Sequence, residues 1–207
     1  MRHGESEAAD PDRPFPLVDG RGDPELSQLG REQAVLVADR LAATRVDAIY
    51  VTSLRRTAET AAPLAARLKL VPEVEPALAE VNLGEWDGGI YRQRVAEGDP
   101  LALQMLEEER WDVIPGAESN AAVAARVGPA IARIAERHAG ERVVCFAHGG
   151  TIGAVLAIAT GSRPFAFNGS DNGAISSIVM AGPRWLLRGF NDRSHLERHN
   201  PRVRSDS

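Results

Sequence analysis

The stretch RVVCFAHGGTIGAVLAIATG, residues 142–161, constrains the fold more than any other part of the chain. RVVCFA carries no charge after its first residue, so it reads as a strand buried on both faces. HGG is a glycine-rich turn, and the apolar residues after it read as a helix. A buried strand running straight into a helix is the unit of a parallel sheet, whose crossovers cover its faces.

The same order recurs upstream. DAIYVTS, residues 47–53, is a short apolar strand, followed by the helical LRRTAETAAPLAARLKL with Ala61, Leu64, Ala65 and Leu68 on one face. Before it, Ser27 is placed to cap a helix whose Ala34, Val37, Ala38 and Leu41 recur at helical spacing. A further helical region spans residues 91–110, interrupted near Gly98 and Pro100. Another spans 118–140, with a kink expected at Gly128-Pro129. Two more strands fall at GAISSIVM and RWLLRGF, while residues 5–25 and 74–89 read as loop. Strands alternating with helices make this an α/β chain with a mainly parallel sheet.

The 207 residues contain no internal repeat and no linker composition, so one domain over 1–199 is expected, with a disordered polar tail at 200–207. A net charge of −5 excludes a general nucleic-acid binder, which needs a basic face, but not a locally cationic pocket. Cys145 is the single cysteine and reads as a small buried side chain, so no internal disulfide forms. No apolar run reaches membrane-spanning length. A cytoplasmic protein with no membrane partner, monomeric or homodimeric, is the expectation.

In α/β sheets ligands bind beyond the carboxyl ends of the strands. His148 stands at one such end, with Gly149 and Gly150 opening the next helix, and Arg55 and Arg56 follow another. A histidine and an arginine at helix N-termini suit an anion. Taken singly, each is as well explained by capping or by a solvated surface charge.

Five motifs occur in order: RHGES from Arg2, ELSQLGREQA, TSLRRTAETA, LAEVNLGEWDG and FAHGGTI, with GFNDRSHL near the end. Together they resemble the histidine phosphatase superfamily, the phosphoglycerate-mutase-like fold, from residue 2 to about residue 196. The resemblance implies a three-layer α/β/α sandwich and a metal-independent phosphatase with no cofactor, acting on a small phosphorylated metabolite. It assigns His3 as the nucleophile that becomes phosphohistidine, with its second ring nitrogen tied to a backbone carbonyl. Gly4 is expected to let the backbone turn around the phosphate. Arg2, Arg56 and Gly149 are implied as phosphate-binding, with Arg55 the less well spaced alternative for the clamp. His148 is expected to complete the pocket, protonated when phosphate binds, and Glu80 to act as the acid and base. Trp86 and Gly88 are read as structural. A cation ~4 Å from an anion contributes roughly 4 kcal/mol at an effective dielectric near 20, so such a pocket can do much of a metal's work.

Two features depart from the family pattern. Where many relatives carry an asparagine that touches phosphate, this chain has Ala9, with Arg13 and Arg21 as candidate replacements. Met1 also stands where a buried strand should lead into Arg2-His3-Gly4. Either a segment before Met1 is missing or the sheet lacks a central strand. The former is favoured, because an unpaired gap costs several kcal/mol. Two rival functions remain: a phosphoglycerate mutase, and a phospholigand-binding protein without turnover. Mutases carry Arg-His-Tyr after the glutamate, where this chain has Val81-Asn82-Leu83.

Overall fold

The computed structural model describes residues 1–10, 12–182 and 184–197. The expected tail, 200–207, lies outside the described residues. A tight hairpin, β1 (Leu17–Val18) and β2 (Arg21–Gly22), turns at Asp19-Gly20 inside the segment read as loop. Both turn residues adopt positive φ, the geometry a two-residue hairpin favours. Helix α1 (Gln28–Ala42) starts at Ser27, whose Oγ accepts the Gly30 N–H at 3.1 Å.

The core of the fold is β3 (Ala48–Val51) and the helix that leaves it, α2 (Arg55–Leu68). Parallel neighbours flank β3: β4 (Glu73–Val74) on one side and β5 (Val143–Cys145) on the other. All four residues of β3 are buried because both faces of the sheet are covered. Ile49 and Val51 join Val144 and Phe146 beneath Val37 and Ala38 of α1 and Ala61 and Leu64 of α2. Ala48 and Tyr50 point to the opposite face, toward Val127, Ala130 and Ile134 of a later helix, α5 (Asn120–Arg137). Alternate residues of one strand thus seal two cores, each fully buried Leu or Ile contributing about 1.5–3 kcal/mol. The result is the expected α/β/α arrangement.

Between β4 and α5 lie two short helices, α3 (Ile90–Glu97) and α4 (Pro100–Glu108), parted at Gly98-Asp99. Gly98 ends α3 at φ +68° and the Asp99 side chain caps α4, which explains the break. Helix α5 continues through Pro129 as one element. After β5 comes α6 (Gly149–Thr160), then an antiparallel pair, β6 (Ile175–Ala181) and β7 (Arg184–Asp192), and the single turn α7 (Ser194–Glu197). The β4-β3-β5 sheet is parallel, and β6-β7 forms a separate antiparallel ladder. The two later strands fall where they are expected, and the tight turn at Gly182 pairs them antiparallel.

The first three residues run extended between two segments. His3 N donates to Ala147 O at 3.0 Å and Ala147 N to Met1 O at 2.8 Å, giving one parallel bridge beyond the end of β5. On the other side Arg2 N donates to Ala174 O and Gly173 N to His3 O, just before β6. The Met1 ammonium donates to Cys145 O at 2.6 Å, and burial lowers its pKa. Arg2 and His3 therefore sit at the carboxyl edge of the sheet, held on both sides by backbone hydrogen bonds.

Candidate active site

A cavity of about 600 Å³ opens at this edge, and its lining includes Arg2, His3, Arg56, Glu80, Gly149 and Gly150. Four separate elements deliver them. The extended N-terminal segment brings Arg2 and His3, and the first turn of α2 brings Arg56. The N-terminus of α6 brings the two glycines, and the loop after β4 brings Glu80.

His3 is 2% exposed, and its Nδ1–H donates to Gly4 O at 2.6 Å. That carbonyl and the His3 carbonyl both accept from Asn172 Nδ2, at 3.2 and 3.1 Å. With Nδ1 carrying the proton, Nε2 holds the lone pair, and Arg56 Nε donates to it at 3.2 Å. Burial first, then Arg56 and Arg2, hold the His3 pKa well below 6.5, so the ring is neutral near pH 7. The backbone carbonyl expected for Nδ1 is that of Gly4. The role expected for Gly4 itself needs correction. A Cβ there would lie 2.6 Å from Gly30 O, so glycine is required for close packing on α1.

His148 is fully buried, 5.2 Å from His3 between ring centroids. Its Nε2 pairs with Thr52 Oγ1 at 2.9 Å, while Nδ1 has no partner among the described residues. Burial, then Arg56, His3 and Arg2, press its pKa well below 6.5. A phosphate dianion set against it acts in the opposite direction.

Arg56 is 6% exposed, donates to Gly22 O at 2.8 Å and has Asp23 at 3.9 Å. Burial draws its pKa down to about 10, which still leaves it charged. Arg55, by contrast, is exposed and tied to Glu59 and Glu25, so the structure brings Arg56 to the cavity and leaves Arg55 outside. Arg2 donates to Ser170 O, and its buried Nε has no partner among the described residues. Glu80 accepts from three backbone N–H groups: Val81 at 3.0 Å, Thr151 at 3.2 Å and Gly150 at 3.4 Å. It thus faces the N-terminus of α6 through the Gly150 and Thr151 N–H groups. A Cβ on Gly150 would lie 2.7 Å from Val81 and 2.9 Å from Glu80 Oε1, whereas one on Gly149 would meet only Arg2 at 3.8 Å. Gly150 is therefore the glycine that this approach requires.

Of the two candidate replacements for the absent asparagine, Arg13 does not line the cavity. Arg21 does, but its Nε donates to Glu80 O at 2.5 Å and Glu118 stands 3.6 Å from its Nη2. Trp86 is buried and also borders the cavity. Sequence reasoning missed Asn172, Arg92, and an aromatic wall of Tyr91, Trp111 and Phe165, with Trp111 and Phe165 rings 4.6 Å apart. Nothing in YRQR or SDNG set these side chains apart from a surface helix or a turn. Cys145 is held in the core, its thiol pushed up to about 11 by burial. Among the described residues no group of three His, Cys, Asp or Glu side chains is arranged to hold a metal, and no helix is long and apolar enough to cross a membrane.

The family model for the histidine phosphatase superfamily (branch 1) matches residues 1–193. The chain is 33% identical over 201 residues to phosphoglycerate mutase-like protein 4 of Arabidopsis thaliana, covering 95% of this chain and 85% of that protein. It is 32% identical over 202 residues to the metal-independent phosphoserine phosphatase of the same plant, covering 95% and 81%. Among solved structures, the mycobacterial glucosyl-3-phosphoglycerate phosphatase superposes with a TM-score of 0.77 at 32% identity, covering 92% of this chain and 95% of that one. The motif order, the fold and these likenesses agree: the chain belongs to the histidine phosphatase superfamily.

Proposed function

We propose that the protein is a metal-independent phosphatase that hydrolyses a small phosphomonoester through phosphohistidine at His3. One observation carries this reading. A neutral imidazole, fixed by its Nδ1–H bond to Gly4 O, presents Nε2 to a cavity whose lining includes the guanidinium groups of Arg2 and Arg56.

The His3 Nε2 lone pair attacks phosphorus and the P–O ester bond breaks. Arg56 gives up its bond to Nε2 and, with Arg2 and the α6 N-terminus at Gly149, receives the phosphoryl oxygens. His148 stabilises the same charge from below. The departing alkoxide takes its proton from Glu80. The resulting carboxylate then takes a proton from water, the hydroxide attacks phosphorus, and the P–N bond breaks to release inorganic phosphate. Catalysis here is positioning and charge stabilisation, which phosphoryl transfer chiefly requires.

The reading takes residues 1–199 as one domain, active in the cytoplasm as a monomer or homodimer without nucleic-acid or membrane partners. The test is rapid quench with a phosphate ester. An acid-labile phosphoenzyme should form and disappear in His3→Ala, along with turnover. Retained turnover in that variant refutes the assignment. With 3-phosphoglycerate and a bisphosphoglycerate primer, phosphate should form at least as fast as 2-phosphoglycerate. Isomerisation with little phosphate release makes the protein a mutase instead.

A further inference from the structure

Glu80 stands in a stretch that is neither helix nor strand, between single helical turns at Pro76–Leu78 and Gly84–Trp86. Among the described residues no strand pairs with it, so its backbone must be held by side chains. Arg126, reaching out of α5, spends all five of its N–H donors there. Its Nη1 donates to Ala77 O at 2.7 Å and to Ala79 O at 2.8 Å. Its Nη2 donates to Glu80 O at 3.1 Å and to Glu118 Oε2 at 2.9 Å, and its Nε to Glu118 Oε1 at 2.6 Å. Neither Arg126 nor Glu118 lines the cavity.

Two of those carbonyls bear directly on the acid. Ala79 O belongs to the peptide plane before the Glu80 Cα, and Glu80 O to the plane after it. One rigid guanidinium gripping both planes sets φ and ψ of Glu80, and with them the direction in which its Cβ leaves the backbone. Each plane has a second donor: Thr151 Oγ1 to Ala79 O at 2.7 Å, and Arg21 Nε to Glu80 O at 2.5 Å. Glu118 completes the frame, accepting the Asn82 N–H at 3.2 Å and standing 3.6 Å from Arg21 Nη2. Side chains of Arg126 and Glu118 are only 19% and 14% exposed. Burial pushes the Glu118 carboxyl up, but Arg126, the Asn82 N–H and Arg21 outweigh it and hold it below the usual carboxylate range. The pair is therefore ionic, and its two parallel bonds fix the plane of the fork.

We infer that Arg126, locked by Glu118, is a positioning residue for the Glu80 acid: it sets the Glu80 backbone so that the carboxyl reaches the leaving oxygen. This rests on the phosphatase reading above and deepens it. The proton that passes from Glu80 to the departing oxygen as the P–O bond breaks depends on a residue outside the cavity. Arg21, a candidate phosphate contact from the sequence, belongs to the same frame through its bond to Glu80 O. A displacement of about 1 Å at a reacting group can cost on the order of 100-fold in rate. Lysine, a point charge in place of the planar fork, cannot span both planes.

The test compares two esters that differ by a nitro group and by their need for a proton, phenyl phosphate and p-nitrophenyl phosphate. The phosphohistidine burst is followed by rapid quench at saturating ester. In Arg126→Lys the burst with phenyl phosphate should slow on the order of 10- to 100-fold, while that with p-nitrophenyl phosphate stays within about threefold of native. Glu118→Gln, which keeps the shape and loosens the fork, should move the ratio of the two rates the same way by a smaller factor. That ratio does not depend on how much of a variant is folded, so lost stability alone leaves it unchanged. Where Arg126→Lys yields no folded protein, Glu118→Gln is judged by the same ratio. Equal slowing with both esters, or native rates with both, overturns the inference. A native protein that forms no phosphohistidine from either ester refutes the phosphatase reading instead, so the two failures are distinct.

Discussion

Lowering the pH from 7.5 to 5.5 should destabilise the native protein through His3, and the size of the effect follows from linkage. In the unfolded chain His3 titrates near 6.5, whereas in the folded protein burial, Arg56 and Arg2 hold it well below that value. Below pH 6.5 the unfolded state therefore binds the extra proton, and stability falls as the pH falls. The contribution is complete above 6.5 and is lost progressively below it. For a group that stays neutral in the fold through this range, the loss between pH 7.5 and 5.5 is on the order of 1 kcal/mol. His148 is depressed by the same kind of environment and acts in the same direction. Other groups titrate in this range, including His195, so the useful quantity is a difference. Urea unfolding of the native protein and of His3→Gln, at matched pH values, gives ΔG for each by linear extrapolation. The native-minus-variant difference should fall by on the order of 1 kcal/mol between pH 7.5 and 5.5. A difference that stays flat, or that rises on acidification, would falsify the claim that His3 is kept neutral by its surroundings.

Three further outcomes follow from the geometry. Glu80→Gln should slow cleavage of an alkyl phosphate ~100-fold or more, while the phosphohistidine burst from p-nitrophenyl phosphate suffers much less, since that leaving group needs no proton. Equal slowing of both bursts would reassign Glu80 to positioning. Turnover should be unaffected by EDTA, because Arg2 and Arg56 supply the charge a divalent ion otherwise brings. Loss on chelation with recovery on adding a metal would contradict the mechanism. Gly4→Ala forces a Cβ to 2.6 Å from Gly30 O and should cost roughly 1–3 kcal/mol in unfolding measurements, with reduced activity as His3 shifts. Native stability in that variant would show that the α1 contact is looser than the structure has it.

The elements were legible because periodicity and capping are local. Ser27, the Ala34/Val37/Ala38 stripe, the four apolar residues of β3 and the break at Gly98 each act through neighbours in the chain. The hairpin at Asp19-Gly20 was hidden because two-residue strands offer no period to read. β4 was hidden likewise, since its two residues pair only with β3.

At the site, the motifs bore enough resemblance to a family to name His3, Arg56, Glu80 and His148, and folding brings all four to one sheet edge. The sequence could order Arg56 ahead of Arg55 by spacing, but only α2's orientation buries one and exposes the other. Arg92 and the Trp111–Phe165 wall, which line the cavity, and Asn172, which holds the His3 and Gly4 carbonyls, were invisible, because they come from elements with no chemical signature of their own. The sequence by itself determined the alternation of strands and helices and singled out the candidate reactive groups, since both reside in short runs of residues. Tertiary structure alone decided which ring nitrogen of His3 is free and which glycine the Glu80 contact requires. Those depend on Gly4, Asn172 and Gly150 meeting their partners across up to 169 positions of chain, and through-space distance is a quantity that no local pattern encodes.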